Sequence, residues 1–496
     1  MPGTDTPPHD RITVSQEVSH ALHTTVGTFQ GFIATTLCLP TGILTAAFLS
    51  RNLGPENYGI FTVASTIIIY IEATITMGFR RTAEKFVAQE ADWQGVASRL
   101  LQVQLMCGLG AFLALMAFAP FIASWLATDE LTTHLRLFSL KIPMFAVANI
   151  NLSILIGLGF FNRRAILLAF YWLSRLFFVF LFVGLYPSVS GAIWAIIVST
   201  VVLFIGTRAY VKPSLFVRSS FPLRNVWSYT WPLFFFTMTR DLFNILDLLY
   251  VKMLSVLPAS AGYYSAAKNL TIVPGLLGIS FSPILLAKLS GLLAQGQRDF
   301  ARRMVGHSIR FILCLLPFAA MSAGAADEIV TAIFGVPFLP GGNLLALLIF
   351  SALGSTMISV TTSMLIAAGH PRLPFILMFP LVVAAFGALP LAIPRFGPIG
   401  AAAVTTTLAL LGATGMITAV NRVWHIHLPF SSLARSILVC GFAYGVAIQW
   451  PAPGFLLLLK IPAISIVIVL AFLLLGEFRA GDINFMRSMI RSGKAS

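Results

Sequence analysis

Fourteen apolar runs, each close to twenty residues long, occupy most of this 496-residue chain. They lie near residues 26–49, 59–79, 100–126, 135–159, 165–185, 190–210, 227–254, 259–287, 308–326, 343–367, 373–393, 398–420, 433–450 and 455–476. A helix of about 20 apolar residues crosses the hydrocarbon of a bilayer. The ninth run ends early, at Asp327 and Glu328. The runs are continuously apolar, whereas barrel strands alternate over about ten residues, so a transmembrane β-barrel is excluded. Composition agrees: 58% of residues are apolar, 10% are charged, and the mean hydropathy is +0.90. A water-soluble globule of this size could not cover itself with so little polar surface. A cytosolic enzyme, a disordered chain and a secreted disulfide scaffold are therefore ruled out. The expected fold is all-α: a polytopic membrane protein of about fourteen transmembrane helices.

The formal charge is +15. The basic residues are spread over many short connections, which points to membrane topology and not to nucleic acid. With fourteen spans and both termini on one side, that side holds 23 of the 32 Lys and Arg. The other side holds six: Arg51, Arg136, Lys141, Lys252, Arg395 and Lys460. The positive-inside rule then puts both termini in the cytoplasm. The mixed-charge first 24 residues lack a basic segment leading into a short apolar core, so no cleaved signal peptide is expected. The longest polar stretch, 288–307, reads as a basic cytoplasmic loop. No connection is long enough for a soluble domain. Cys38, Cys107, Cys314 and Cys440 lie far apart inside apolar runs and read as small buried hydrophobes.

The chain also repeats itself. Pro55, Gly59, Phe61 and Ala64 fall on Pro258, Gly262, Tyr264 and Ala267 at an offset of 203. Leu155-Ile-Gly-Leu-Gly159 before Arg163 matches Leu365-Ile-Ala-Ala-Gly369 before Arg372 at 210. Gly191-Ala-Ile-Trp-Ala matches Gly397-Pro-Ile-Gly-Ala at 206. Three matches in one order at a near-constant offset indicate two parallel six-helix repeats plus two C-terminal helices. The expected organisation is a cytoplasmic tail (1–24), an N-lobe (25–211), a basic linker (212–226), a C-lobe (227–422), a helix pair (423–477) and a basic tail (478–496).

Several of these segments resemble a known family. Arg51-Asn-Leu-Gly-Pro-Glu-Asn-Tyr-Gly-Ile-Phe61 resembles the loop before helix 2 of bacterial polysaccharide-repeat-unit flippases. These form the Wzx-like branch of the multidrug/oligosaccharidyl-lipid/polysaccharide superfamily. Asn244-Ile-Leu-Asp247 with Ala261-Gly-Tyr-Tyr-Ser-Ala-Ala267 resembles that family's helix 7–8 junction, and Ile333-Phe-Gly-Val-Pro-Phe338 its loop before helix 10. The resemblance implies a flippase for an undecaprenyl-diphosphate-linked oligosaccharide, moved from the cytoplasmic to the periplasmic leaflet of the inner membrane. It would serve exopolysaccharide, capsule or O-antigen assembly. The other partners it implies are membrane lipid and a polysaccharide polymerase and chain-length regulator of the same pathway.

Charges inside the spans point to a site. A charged side chain at a helix centre costs about 2.5–3.5 kcal/mol on insertion scales, so Arg175, Arg240 and Lys268 must face an interior or a watery passage. Arg240, Asn244 and Asp247 are spaced i, i+4, i+7 and share one helix face. In one reading, Arg240, Lys268, Arg175, Asn244 and Lys141 line a cationic cavity that receives a diphosphate. In the other, the bases clamp helices: Arg240 to Asp241 or Asp247, Lys268 to Asp247 or Glu72. Lys141, near a span start, can snorkel to the surface. Asp247 and Glu72 are candidates for coupling to an ion gradient or for structural pairing. Tyr263 and Tyr264, beside Asn269, read as an interfacial aromatic pair. His425 and His427 have no acidic neighbour and suggest no metal site. No phosphate-binding glycine loop, HExxH or GxSxG pattern occurs, so no cofactor or enzyme site is indicated. The alternatives are an ion-coupled multidrug exporter of the same fold, a peptidoglycan-precursor flippase, or a membrane polymerase. The last would need a large outer loop that the chain lacks.

Overall fold

A computed structural model describes residues 38–89, 93–212, 223–426 and 430–477. The two tails, most of the basic linker and His427 lie outside the described residues. Everything described is helix, turn or short connection.

The first helix, α1 (Cys38–Gln89), has 52 residues. A straight helix of that length would span about 78 Å, more than twice a bilayer. It folds at Gly54, whose φ of 72° suits glycine, and Pro55 then starts the second half. The first two expected spans are these two halves, with no loop between them. The same device recurs in α14 (Arg372–Trp424), which folds at Gly397 (φ 60°) immediately before Pro398. Between them run α2 (Trp93–Trp125), α3 (Glu130–Ser139), α4 (Lys141–Gly157), α5 (Phe161–Leu185) and α6 (Val189–Tyr210). Then follow α7 (Leu223–Leu254), α8 (Ser260–Leu270), α9 (Ile272–Ala294), α10 (Arg298–Leu313), α11 (Leu316–Gly324), α12 (Ala326–Phe334) and α13 (Gly341–Ala367). The chain closes with α15 (Phe430–Gln449) and α16 (Leu457–Leu474).

Three expected spans are broken helices. Breaks fall at Leu140, Thr271 and Cys314–Leu315, and the helices before them end at Ser139, Leu270 and Leu313. Each end lies four residues before a proline: Pro143, Pro274 and Pro317. A proline has no N–H for the carbonyl four residues back, and its ring clashes with that carbonyl. The stretch 288–307, expected as a loop, is also mostly helix. Only Gln295–Gln297 separate α9 from α10, with Gly296 at φ 73° making the turn. Residues Ala301, Met304, Val305, Ser308, Ile309 and Ile312 give α10 a buried stripe at helical spacing, which the charges around them mask in a hydropathy reading.

Ten helical stretches among the described residues are long and apolar enough to cross a membrane, and two of them fold, at Gly54 and at Gly397, into pairs. With α7 and the α8–α9 pair, each of the fourteen expected spans lands on helix over its described residues; residues 26–37 of the first lie outside them. The protein is an all-α, multi-pass membrane protein. Helices α1–α6 pack on one another, and α7–α14 form a second body in which α13 is the central helix, touching α9, α11, α12 and α14. The bodies meet where α1 packs on α7 and α8. The α15–α16 hairpin lies against α11.

Candidate functional site

The seam between the two bodies follows the sequence repeat. Gly59 and Gly262, equivalent at the 203-residue offset, face each other so closely that a Cβ on Gly59 would stand 2.7 Å from the Gly262 nitrogen. One turn on, the equivalent hydroxyls of Thr62 and Ser265 are 2.7 Å apart. Equivalent residues touch each other only on the axis that relates two repeats. An axis relating the two sequence repeats would therefore run through this pair of contacts. The seam continues with Asn269, whose Nδ2 donates to the Tyr58 hydroxyl at 2.8 Å. Tyr58 is buried against Phe334 and Phe338. The Arg51 guanidinium donates to the carbonyls of Ala332 and Ile333 at the end of α12, where a cation complements the helix terminus. The two bodies are thus sewn together at the end bearing Pro55 and Pro258.

Deeper in the membrane the bases sort themselves. Lys141 does not snorkel: it is 5% exposed, and its Nζ donates to Glu72 Oε2 at 2.9 Å. Glu72 is equally buried and accepts across the gap between the second half of α1 and the start of α4. Lys268 on α8 reaches Asp247 Oδ1 on α7 at 2.5 Å and also donates to the Asn244 carbonyl. Asp247 accepts further hydrogen bonds from the Tyr264 hydroxyl and the Leu248 N–H, both at 2.8 Å. Tyr264 is fully buried with its hydroxyl on Asp247, so it is no interfacial aromatic. Tyr263 packs edge-on against Phe338. The Asn244 side chain is exposed. Arg240 lies on α7 with its side chain outside the described residues.

Arg175 is different. It is the fifteenth of the 25 residues of α5, hence mid-membrane. It lies one turn from Tyr171 and one from Val179 on the buried stripe that continues to Val183, so it points into the first body. It sits within electrostatic reach of Glu72, and its guanidinium lies over the Trp172 ring at 5.4 Å. Its buried Nε has no hydrogen-bond partner among the described residues, nor does Glu72 Oε1. Lys141, Arg175 and Glu72 therefore form a cluster of two cations and one carboxylate. The structure brings together Glu72, Lys141 and Arg175 in one group and Asn244, Asp247 and Lys268 in another.

Among the described residues, further buried ionic groups lie outside these at the α15–α16 hairpin. Lys460, which the topology reading places at a membrane surface, is fully buried and pairs with Glu328 Oε2 at 2.5 Å. Glu328 Oε1 accepts from the Ala452 N–H. At the other end of the hairpin, Glu477 accepts from Arg310 and Arg435. The signal for both was present: each carboxylate lies at the same expected membrane surface as its base.

A helical bundle of two packed bodies, with buried charge deep in each, is an arrangement that membrane transporters use. The structure is similar to the lipid II flippase MurJ in an inward closed conformation, with a TM-score of 0.73 at 16% identity over 93% of this chain and 99% of that one. It is also similar to a multidrug resistance MATE family transporter. The inward-facing form matches with a TM-score of 0.67 at 15% identity, covering 78% of this chain and 95% of that one. The outward-facing form gives 0.58 at 14% identity, over 85% and 95%. The sequence is 22% identical to a Shigella flexneri protein described as "Putative O-antigen transporter", over 77% of this chain and 93% of that protein. Residues 48–340 match the family described as polysaccharide biosynthesis protein, and the chain belongs to that family, among the polysaccharide flippases of the multidrug/oligosaccharidyl-lipid/polysaccharide superfamily. It is a transporter, not an enzyme.

Proposed function

We propose that this protein flips an undecaprenyl-diphosphate-linked oligosaccharide repeat unit from the cytoplasmic to the periplasmic leaflet of a bacterial inner membrane. Both termini lie in the cytoplasm, and the sewn end faces the periplasm. The two bodies rock about the seam, so the passage between them opens to each side in turn. The flipped unit passes to a polysaccharide polymerase and chain-length regulator for exopolysaccharide, capsule or O-antigen assembly. One observation carries the reading: Arg175, a guanidinium in mid-membrane beside an already neutral Lys141–Glu72 pair. A surplus cation in low dielectric favours an anion strongly, and the fork of a guanidinium suits phosphate oxygens. A cationic drug would meet repulsion there, which argues against the exporter.

The test is reconstitution of the full chain in liposomes with undecaprenyl-diphosphate oligosaccharide, read by enzymatic access to the sugar in the outer leaflet. Arg175→Gln should slow flipping at least about tenfold, the effect of losing one charge-assisted hydrogen bond. Arg175→Lys should keep part of the activity. Equal flipping by the parent and Arg175→Gln, at equal folded amounts, would overturn the reading. Preference for a peptidoglycan precursor over the polysaccharide unit in the same liposomes would shift the cargo while keeping the diphosphate.

A further inference from the structure

Helix α8 has only eleven residues and two working faces. One face forms the seam: Gly262, Ser265 and Asn269 meet Pro55, Thr62 and Tyr58 of α1. The other carries Tyr264 and Lys268, one turn apart, and both are held by Asp247. Breaks lie on either side of α8, at Ser255–Ala259 and at Thr271, and the Asp247 carboxylate with the Asn244 carbonyl holds it to α7. The pair is lopsided. The Asp247 side chain is 1% exposed, whereas that of Lys268 is 30% exposed. The ammonium can be approached, and its carboxylate is closed off. The exposed Asn244, whose carbonyl also holds Lys268, stands beside the same opening.

We propose that Asp247 is a built-in placeholder anion that holds Lys268, and with it α8 and the seam, until an anionic headgroup takes the lysine. This deepens the function proposed above and rests on its anionic cargo. A phosphate oxygen on Lys268 leaves Asp247 as an uncompensated charge in a closed site, which makes the closed arrangement the less stable one. The cargo thereby binds the unlatched state better than the latched one, the condition for it to shift that equilibrium. Tyr264 moves with the same turn of helix and carries the change to Gly262 and Ser265. An uncharged lipid has no such leverage, so the latch also selects for the headgroup.

The test reads the seam directly. In a full-length chain with its four native cysteines replaced by alanine, Thr62→Cys and Ser265→Cys form a disulfide under mild oxidation only while the seam is shut. Asp247→Asn should slow that cross-link at least about fivefold without any ligand, the low end of usual coupling between sites. Undecaprenyl diphosphate should slow it in the parent, undecaprenol should not, and Lys268→Gln should abolish the response to the diphosphate. Cross-linking of Asp247→Asn at the parent rate would overturn the latch. Should that variant not fold, a Lys268→Gln chain that still answers to the diphosphate overturns it equally. A parent seam indifferent to the diphosphate, beside an open seam in Asp247→Asn, would instead remove the diphosphate cargo and leave the latch standing.

Discussion

Replacing Gly262 by alanine separates the steric role of the seam from its charges. The new Cβ would lie 1.8 Å from the Pro55 carbonyl oxygen, and that neighbour is backbone that cannot swing aside. Restoring a tolerable contact of 3.0–3.4 Å needs roughly 1.2–1.6 Å of separation between α1 and α8. The Thr62–Ser265 hydroxyl contact, 2.7 Å in the parent, then stretches toward about 4 Å and ceases to be a hydrogen bond. Overpacking costs about 1–3 kcal/mol and the lost hydrogen bond about 1. Together they weigh about 2–4 kcal/mol against the sealed arrangement, a population shift of about thirtyfold or more. Spin labels on the exposed Asn57 and Val256, read by pulsed dipolar spectroscopy, should show a longer distance in Gly262→Ala. Gly275→Ala is the control, because its Cβ would meet nothing within 4 Å. An unchanged distance distribution in Gly262→Ala, with flipping at the parent rate, would refute a seam whose closure depends on two bare glycines.

The hairpin α15–α16 supplies two further tests. Lys460→Met leaves Glu328 with only the Ala452 N–H, and breaking a buried pair costs about 3–5 kcal/mol. Its thermal unfolding in detergent should come several degrees early, and adding Glu328→Gln should recover most of the loss; no recovery would show that Lys460 acts by packing alone. Glu477, just past the last span, titrates below the usual carboxylate range. Burial opposes its charge, but hydrogen bonds from Ser432, Arg435 and Arg310 outweigh that cost. A depressed carboxylate contributes stability above its unfolded value, near 4.3, and loses it as pH falls through the lower folded one. Acidification below about pH 4 should free the end of α16 to proteolysis in the parent, while Glu477→Gln should show the same cleavage at every pH.

Hydropathy made the fourteen spans legible because hydrocarbon selects for continuous apolar runs whatever the packing inside. It could not show that Gly54-Pro55 and Gly397-Pro398 fold one helix rather than start a loop. Nor could it reveal the start of α10, whose charged residues surround its buried stripe. The broken spans were readable in principle from Pro143, Pro274 and Pro317, four residues past each helix end. Of the site residues, Lys268–Asp247 was visible as a sequence-level option. Lys141–Glu72 was not, because surface snorkelling and burial look alike in a sequence: both place a lysine near the end of an apolar run. The repeat, weak as three short matches, is the reading the structure makes most concrete, with Gly59 on Gly262 and Thr62 on Ser265.

That symmetry ends where the charges begin. At the repeat offset Lys268 corresponds to Ser65, Asp247 to Leu44 and Glu72 to Gly275. Lys141 corresponds to the uncharged stretch Leu344–Ser351, and Arg175 to Leu381–Ala385. Each body has therefore taken its buried ions independently, while the contacts on the axis have kept their equivalents. The two demands differ physically. A seam that opens and closes by rotation must present like surfaces to each other, or closure on one side of the axis would strain the other. A cargo with one charged headgroup, one lipid tail and a long sugar has no twofold symmetry, and a site that receives it has none either. For the cargo proposed above, a surplus cation on one body and a half-open ion pair on the other would give the headgroup one place to sit and a different pair to break.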